Sequence, residues 1–293
     1  MSEPSPVHVA VLLDETIDWL DPQPGKVMVD GTYGAGGHAR AMAERVGPDG
    51  QVIGIDRDPA AIDEGHSRLG VLPIRLVQAN YCNLPEVLEA FEMKTVDGIV
   101  LDLGLSSDQL ADPNRGFSFS GDGPLDLRFD PTRGQATWQM VNRLSEGNLA
   151  DLIYAYGEER YSRRIAKAIV NRRRESPIRT AAELAELVRR CVPRKGHDRI
   201  DPATRTFQAL RIAANDELES LDIALRRLPD CLSPGGRMAV ISFHSLEDRR
   251  VKEAFRNDDR MKALTKKPIR PTPEEVERNP RARSAKLRIA ERT

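Results

Sequence analysis

Cysteine is scarce in these 293 residues: Cys82, Cys191 and Cys231 stand far apart, with no CxxC pair. That excludes a disulfide framework and a zinc knuckle, so reduced thiols in a cytoplasmic protein are the expectation and no metal site is expected. Long apolar runs are missing as well. The longest near the N-terminus, Val9 to Leu13, stops at Asp14 and Glu15 and has no basic stretch before it, so neither an export signal nor a membrane span is expected. There is no internal repeat and no low-complexity tract. Net charge is nearly absent too, at −1 from 44 Lys and Arg against 45 Asp and Glu. Taken as an average, that argues against a partner that is a polyanion.

The average is misleading. From Arg160 to Arg205 there are 14 basic and 5 acidic residues, from Arg249 to the C-terminus 15 and 7, and elsewhere 15 and 33. An acidic body therefore carries two basic segments, an asymmetry that points to nucleic acid. With 40% apolar residues the chain can bury a core, and its length suits two domains of roughly 150 residues each.

Short apolar runs alternate with helix-like stretches over the first hundred residues, the pattern of βαβ units around a parallel sheet. Val27-Met28-Val29 runs into Asp30 and a Gly-rich turn, and Ala39 to Val46 predicts the following helix. Gln51 to Ile55 predicts a second strand ending at Asp56, Ile74 to Val77 a third, and Gly98 to Leu101 a fourth ending at Asp102. In an open parallel sheet those C-terminal ends line the ligand crevice. After Leu105 the rhythm breaks, and helical patterns follow without a strand until Arg237 to Ser242. Thr180-Ala-Ala-Glu183 fits a capping box, and Asp201-Pro202 predicts an N-cap with proline at the first helical position. The expectation is an α/β domain formed by 1–109 and 205–293, interrupted by an all-helical domain at 110–204.

Asp30-Gly-Thr-Tyr-Gly-Ala-Gly-Gly-His38 is the most informative stretch. Gly34, Gly36 and Ala39 satisfy GxGxx(G/A), and Asp56 lies 22 residues beyond Gly34, so a dinucleotide fingerprint has to be weighed. Asp30 argues for a different adenosyl cofactor. A carboxylate beside the turn repels a pyrophosphate but attracts the ammonium of a methionine moiety, which favours S-adenosylmethionine over NAD. Asp56 can accept ribose hydroxyls under either reading.

Taken with Ile55-Asp-Arg-Asp-Pro59, Leu101-Asp-Leu-Gly-Leu-Ser-Ser107, Arg115-Gly-Phe-Ser-Phe119, Tyr156-Gly-Glu-Glu-Arg160, Ile241-Ser-Phe-His-Ser-Leu-Glu-Asp248 and Asn279-Pro-Arg-Ala-Arg-Ser284, this turn makes the sequence resemble the MraW/RsmH family from His8 to its last residues. The resemblance implies a class I Rossmann-like methyltransferase fold, mostly parallel, with an inserted helical substrate-recognition domain. It also implies methyl transfer from S-adenosylmethionine to N4 of a cytosine in bacterial small-subunit (16S) ribosomal RNA. Gly36, Gly37 and His38 would wrap the methionine end of the cofactor, Asp56 would take the ribose, Tyr81 would flank the adenine, and Asp102 and Gln109 would complete the pocket. The partner implied is that RNA or a ribosomal particle containing it; a homodimer is left open.

Read without the resemblance, several of these residues are ordinary. His38 alone is a satisfied structural histidine, Tyr81 alone is core or surface filler, and Gln109 in a loop carries no signal. His244 and Asp248 suggest acid–base chemistry, yet no GxSxG elbow accompanies them. The loop 115–134, with Phe117 and Phe119, reads as a substrate-facing lid or a packed hinge. Arg160, Arg163, Arg164 and Lys167 share one face of a helix around 158–172, beside an apolar face of Tyr161, Ile165, Ala168 and Ile169. With Arg172-Arg-Arg174, Arg189-Arg190, Arg194-Lys195 and Arg199, that face predicts a phosphate-contacting surface. No (Asp/Asn/Ser)-Pro-Pro-aromatic motif follows the fourth strand, so the catalytic assignment stays open, with Asp102, Ser106 and Ser107 as candidates by location. Two other classes stay open beside the methyltransferase: an NAD-dependent oxidoreductase, and a non-catalytic RNA-binding ribosome assembly factor.

Overall fold

A computed structural model of the chain describes residues 10–119, 123–193 and 201–293. The chain divides into two compact units, Met1–Ser106 with Leu218–Thr293, and Ser107–Glu217. The first is built on a seven-stranded sheet: β1 Val27–Asp30, β2 Gln51–Asp56, β3 Ile74–Gln78, β4 Val96–Asp102, β5 Leu232–Ser242, β6 Met261–Ala263 and β7 Lys286–Arg292, in the order β3-β2-β1-β4-β5-β7-β6. Pairs β1/β2, β2/β3, β1/β4 and β4/β5 are parallel, and β7 runs antiparallel to both β5 and β6. This is the expected mixed α/β, Rossmann-like architecture.

The strands read as near-continuous apolar runs because both faces of a parallel sheet are covered. Alternation divides them between two cores. Val29, Ile53, Ile99, Leu101, Met238 and Val240 join the helices Leu84–Ala90 and Ser245–Asn257 on one face. On the other, Met28, Val52, Val100, Ala239 and Ile241 join Leu13–Leu20 and Gly37–Val46. Order reverses at β1, which lies between β2 and β4; such a switch point opens a crevice at the carboxyl ends of the strands. The register pairs Asp30 with Gly54 and Val100, so the acids that end β1, β2 and β4 reach the same rim.

The second unit is helical among its described residues, with longer helices at Glu146–Gly157, Ser162–Glu175, Ala181–Cys191 and Thr204–Asn215. Its limits differ from the expected 110–204, chiefly because Thr204–Asn215 packs on Glu146–Gly157. A Cβ on Gly157 would lie 2.4 Å from the Arg205 carbonyl oxygen, so only glycine permits this approach. Asn215 then accepts the Phe129 N–H at 2.7 Å and donates to the Leu127 carbonyl at 2.7 Å.

Two local expectations change. The helix expected around 158–172 starts only at Ser162, because Glu158 at φ 50 terminates the preceding helix and Glu159 accepts the Tyr161 N–H at 2.8 Å. Asp201 does not cap Thr204–Asn215, whose N-cap is Ala203. It instead accepts the Ala203 N–H at 2.8 Å and pairs with Arg189 at 2.7 Å. The Thr180–Glu183 capping box is present with both of its hydrogen bonds.

Candidate functional site

The Gly-rich turn leaves β1 beneath the N-terminus of the helix Gly37–Val46. Gly34 and Gly36 have φ of 51 and 80, a region that favours glycine. The Tyr33 ring supports the turn from below. A Cβ on Gly36 would meet its hydroxyl oxygen at 2.6 Å, and Cβ atoms on Gly54 and Gly65 would each meet the ring at 2.7 Å. Asp56 holds the turn from the side, accepting the Gly34 N–H at 2.8 Å on one oxygen and the Asp58 N–H at 2.8 Å on the other. Tyr81 opens a short turn after β3 and lies beside Gly31, where an added Cβ would come 3.0 Å from its own.

His38 is buried in the first turn of the helix Gly37–Val46. Its Nε2 lies 3.1 Å from the Val11 carbonyl; a carbonyl only accepts, so Nε2 carries the hydrogen. Nδ1 then faces Asp102 Oδ2 at 4.0 Å. Asp102 is fixed through its backbone, whose N–H donates to Thr32 Oγ1 at 2.6 Å. Its Oδ1 is buried without a hydrogen-bond partner among the described residues.

The structure therefore brings Gly36, Gly37, His38, Asp56, Tyr81 and Asp102 to one rim. Gln109 belongs to the second unit, buried on the short helix Ser107–Ala111. Asp30 is a rim acid as well, 1% exposed, accepting the Thr32 N–H at 3.1 Å.

Three acids at one rim are electrostatically costly. Burial, with the Asp56 charge adding, pushes the Asp30 carboxyl up to about 7 against the Thr32 N–H bond. Burial lifts Asp56 to about 6 although the backbone N–H groups of Asp58, Gly34 and Arg57 oppose it. Burial and then the Asp30 charge raise Asp102 to about 8, with Arg281 opposing and Glu247 adding. Such a rim is relieved by a cation and made worse by an anion. S-adenosylmethionine brings a sulfonium and an ammonium, whereas a dinucleotide brings two phosphate charges. The buried Asp102 Oδ1 adds an acceptor that a ligand's donor would satisfy.

His244 and Asp248 do not form an acid–base pair. His244 Nδ1 accepts the Glu247 N–H at 3.4 Å and Glu247 returns the bond, so the pair caps the helix Ser245–Asn257. Asp248 binds Arg288 at 2.7 Å and Lys286 at 3.1 Å; burial would raise its carboxyl, but these bonds hold it below the usual value. In the second unit, Phe117 stacks on Phe129 at 6.0 Å and Phe119 meets Phe207 edge-on at 4.7 Å. The described part of the 115–134 loop is thus packed rather than lid-like.

On Ser162–Glu175 the buried side chains Ser162, Ile165, Ala166, Ile169 and Val170 face inward. Arg163, Arg164, Lys167 and Arg174 are exposed and take no ion pair among the described residues. Arg160 precedes this helix and stacks over the Tyr161 ring at 4.8 Å. Arg189 and Arg190 are paired with Asp201 and Glu186. Arg194, Lys195 and Arg199 lie outside the described residues.

The profile of the MraW methylase family matches residues 5–293. Ribosomal RNA small subunit methyltransferase H of Rhodopirellula baltica is 53% identical over 296 residues, covering 97% of this chain and 91% of that one. The proteins of the same name from Synechococcus elongatus and Thermomicrobium roseum are 50% and 47% identical, covering 99% and 98% of this chain and 97% and 94% of their own.

Proposed function

The chain belongs to the MraW methylase family and is an S-adenosylmethionine-dependent rRNA methyltransferase; from that premise we propose that the acceptor is the N4 amino group of a cytosine in small-subunit ribosomal RNA. The observation that carries the site reading is the rim of three strand-ending acids around the glycine turn, Asp30, Asp56 and Asp102. Neither an oxidoreductase nor a non-catalytic assembly factor is favoured by the relatives.

In this reading Gly36, Gly37 and His38 wrap the methionine end of the cofactor. Asp56 takes the ribose hydroxyls on the lone pairs that Gly34 and Asp58 leave open, Tyr81 offers its ring to the adenine, and Asp102 completes the pocket. The cofactor supplies an activated methyl group on a sulfonium. Everything else is positioning, since in-line displacement requires the acceptor lone pair opposite the leaving sulfur. The amine of cytosine is a weak nucleophile because its lone pair is delocalised into the ring. Acceptors that hydrogen-bond its N–H groups localise that pair and receive the proton the amine loses on methylation; Asp102 and Ser106 are the candidates. The base must leave its stack to reach the crevice.

The exposed cations of Ser162–Glu175 supply sequence-independent phosphate contacts, which makes the helical unit the RNA-recognition unit. An RNA of the ribosome as substrate supports a cytoplasmic location. No helix among the described residues is long and apolar enough to cross a membrane. Nucleoside mass spectrometry of small-subunit RNA from cells with and without this protein tests the acceptor: the expected result is loss of one N4-methylated cytidine. An unchanged profile refutes it.

A further inference from the structure

We propose that Arg281 is a positioning residue for methyl transfer, fixing from the far end of the chain both the backbone that follows β4 and the field at the Asp102 carboxylate. The proposal rests on the reading that Asp102 faces the transferring group.

The end of β4 and the residues after it are tied to three other parts of the chain by the following bonds. Asp102 N–H donates to Thr32 Oγ1, Leu103 N–H donates to the Ile241 carbonyl at 3.0 Å, and the Arg281 guanidinium donates to the Leu105 carbonyl. Between the second and third bonds the chain turns at Gly104, φ 107, a conformation strained for any side chain. Arg281 tethers the chain beyond this glycine, which imposes no direction of its own.

Among the described residues, four charged or titratable groups act on Asp102, each from a different element. Asp30 comes from β1, Glu247 from the helix Ser245–Asn257, His38 from the helix Gly37–Val46, and Arg281 from the turn Pro280–Ser284. Arg281 is the only permanent cation of the four. Its planar fork can bind the Leu105 carbonyl while presenting charge to the carboxylate, which a lysine ammonium does less well. The segment that carries it is firmly seated. Ala282 and Ala285 are fully buried, and Glu275 accepts the Leu12 N–H at 2.8 Å, next to the Val11 carbonyl that binds His38. The C-terminal segment thus reaches both sides of the glycine turn.

An arginine that merely fastened the C-terminus would affect folding and leave the titration of the reaction unchanged. The two roles separate in single-turnover methyl transfer to small-subunit RNA at saturating cofactor, measured against pH with full-length Arg281→Gln, Arg281→Lys and Asp102→Asn. Cofactor affinity and thermal melting are followed in parallel. The wild-type rate should rise with pH as Asp102 ionises. Arg281→Gln should move that rise to higher pH, and on the rising limb each unit of displacement costs about tenfold in rate. Arg281→Lys should keep the position of the limb and lower its plateau.

A Gln variant with the wild-type pH profile overturns the proposal, whatever its melting temperature. If Gln does not fold, a Lys variant with wild-type plateau and limb overturns it instead. Asp102→Asn tells the two failures apart. A wild-type profile in that variant removes Asp102 from the site and Arg281 with it. A lost limb in Asp102→Asn beside an unmoved limb in Arg281→Gln removes Arg281 alone.

Discussion

Replacing Asp30 with asparagine should stabilise the cofactor-free protein, and by an amount that depends on pH. Asp30 is 1% exposed, and its carboxyl is raised from 3.8 to about 7 by burial and by Asp56. The sign follows from proton counts. Above pH 4 the unfolded chain has lost this proton while the native state keeps it until about pH 7, so raising the pH favours unfolding across that window. The gradient is about 1.4 kcal/mol per pH unit for one proton and vanishes once both states are ionised. Between pH 5 and 8 only the stretch up to 7 counts, so Asp30→Asn should gain about 3 kcal/mol more at pH 8 than at pH 5. Asparagine can still accept the Thr32 N–H through its carbonyl oxygen, so the turn keeps its first hydrogen bond. Removing the charge also eases Asp102, for which Asp30 is the second cause of elevation, and this adds to the effect. Urea unfolding of both proteins at the two pH values, without cofactor, measures the difference. Parallel curves with a constant offset would refute the burial argument. The same variant should bind S-adenosylmethionine more weakly, since the charge that destabilises the empty rim attracts the ligand.

Asp56→Ala should weaken S-adenosylmethionine binding by about 1–3 kcal/mol, the usual cost of deleting a charged acceptor; calorimetry showing unchanged affinity removes Asp56 from the site. Affinity for the cofactor in the wild type should increase from pH 6 to 8, because Asp56, Asp30 and Asp102 ionise at about 6, 7 and 8 and each charge favours the cationic ligand. Proton release on binding, read from calorimetry in two buffers of different ionisation enthalpy, checks it, and proton uptake contradicts it. Arg163→Glu with Arg164→Glu should leave cofactor affinity intact and weaken RNA binding. The slope of log K against log salt should fall by about 0.7 for each single-strand phosphate that the variant no longer neutralises; an unchanged slope in anisotropy titrations would show that this face does not touch the backbone.

What the sequence made legible follows from how local each signal is. The four strands and the acids at three of their ends are written in consecutive residues, as is the glycine turn. The side on which Thr204–Asn215 packs is not, because an apolar stripe says that a helix is covered without saying by what; the close approach of Gly157 to Arg205 decided it. Thr32 gives the same lesson in small: it sits inside the quoted motif, yet its hydroxyl matters because it receives the Asp102 N–H from another strand. Arg281 meets Leu105 across 176 residues, beyond the reach of any spacing rule.

Charge gives the sharpest case, because a count along the chain treats both basic segments alike and ion pairing does not. In the C-terminal segment Arg250 pairs with Asp222, Arg260 with Asp230 and Asp258, and Lys286 and Arg288 with Asp248. Asp222, Asp230 and Asp248 of the acidic body thus neutralise part of that excess, while Lys252, Arg256, Lys262, Lys266, Lys267, Arg270, Arg278 and Arg283 stay exposed with no ion pair among the described residues. On Ser162–Glu175 the exposed cations are gathered on one helix. A buried stripe fixes the helix from one side, so Arg163, Arg164 and Lys167 are left facing solvent with no carboxylate within reach among the described residues. Counterion release requires cations that are free to meet phosphate. Both basic segments that the composition singles out therefore keep exposed cations able to meet phosphate; those of the helical unit are gathered on one side of a single helix, while part of the C-terminal set serves the sheet and, through Arg281, the rim of the crevice.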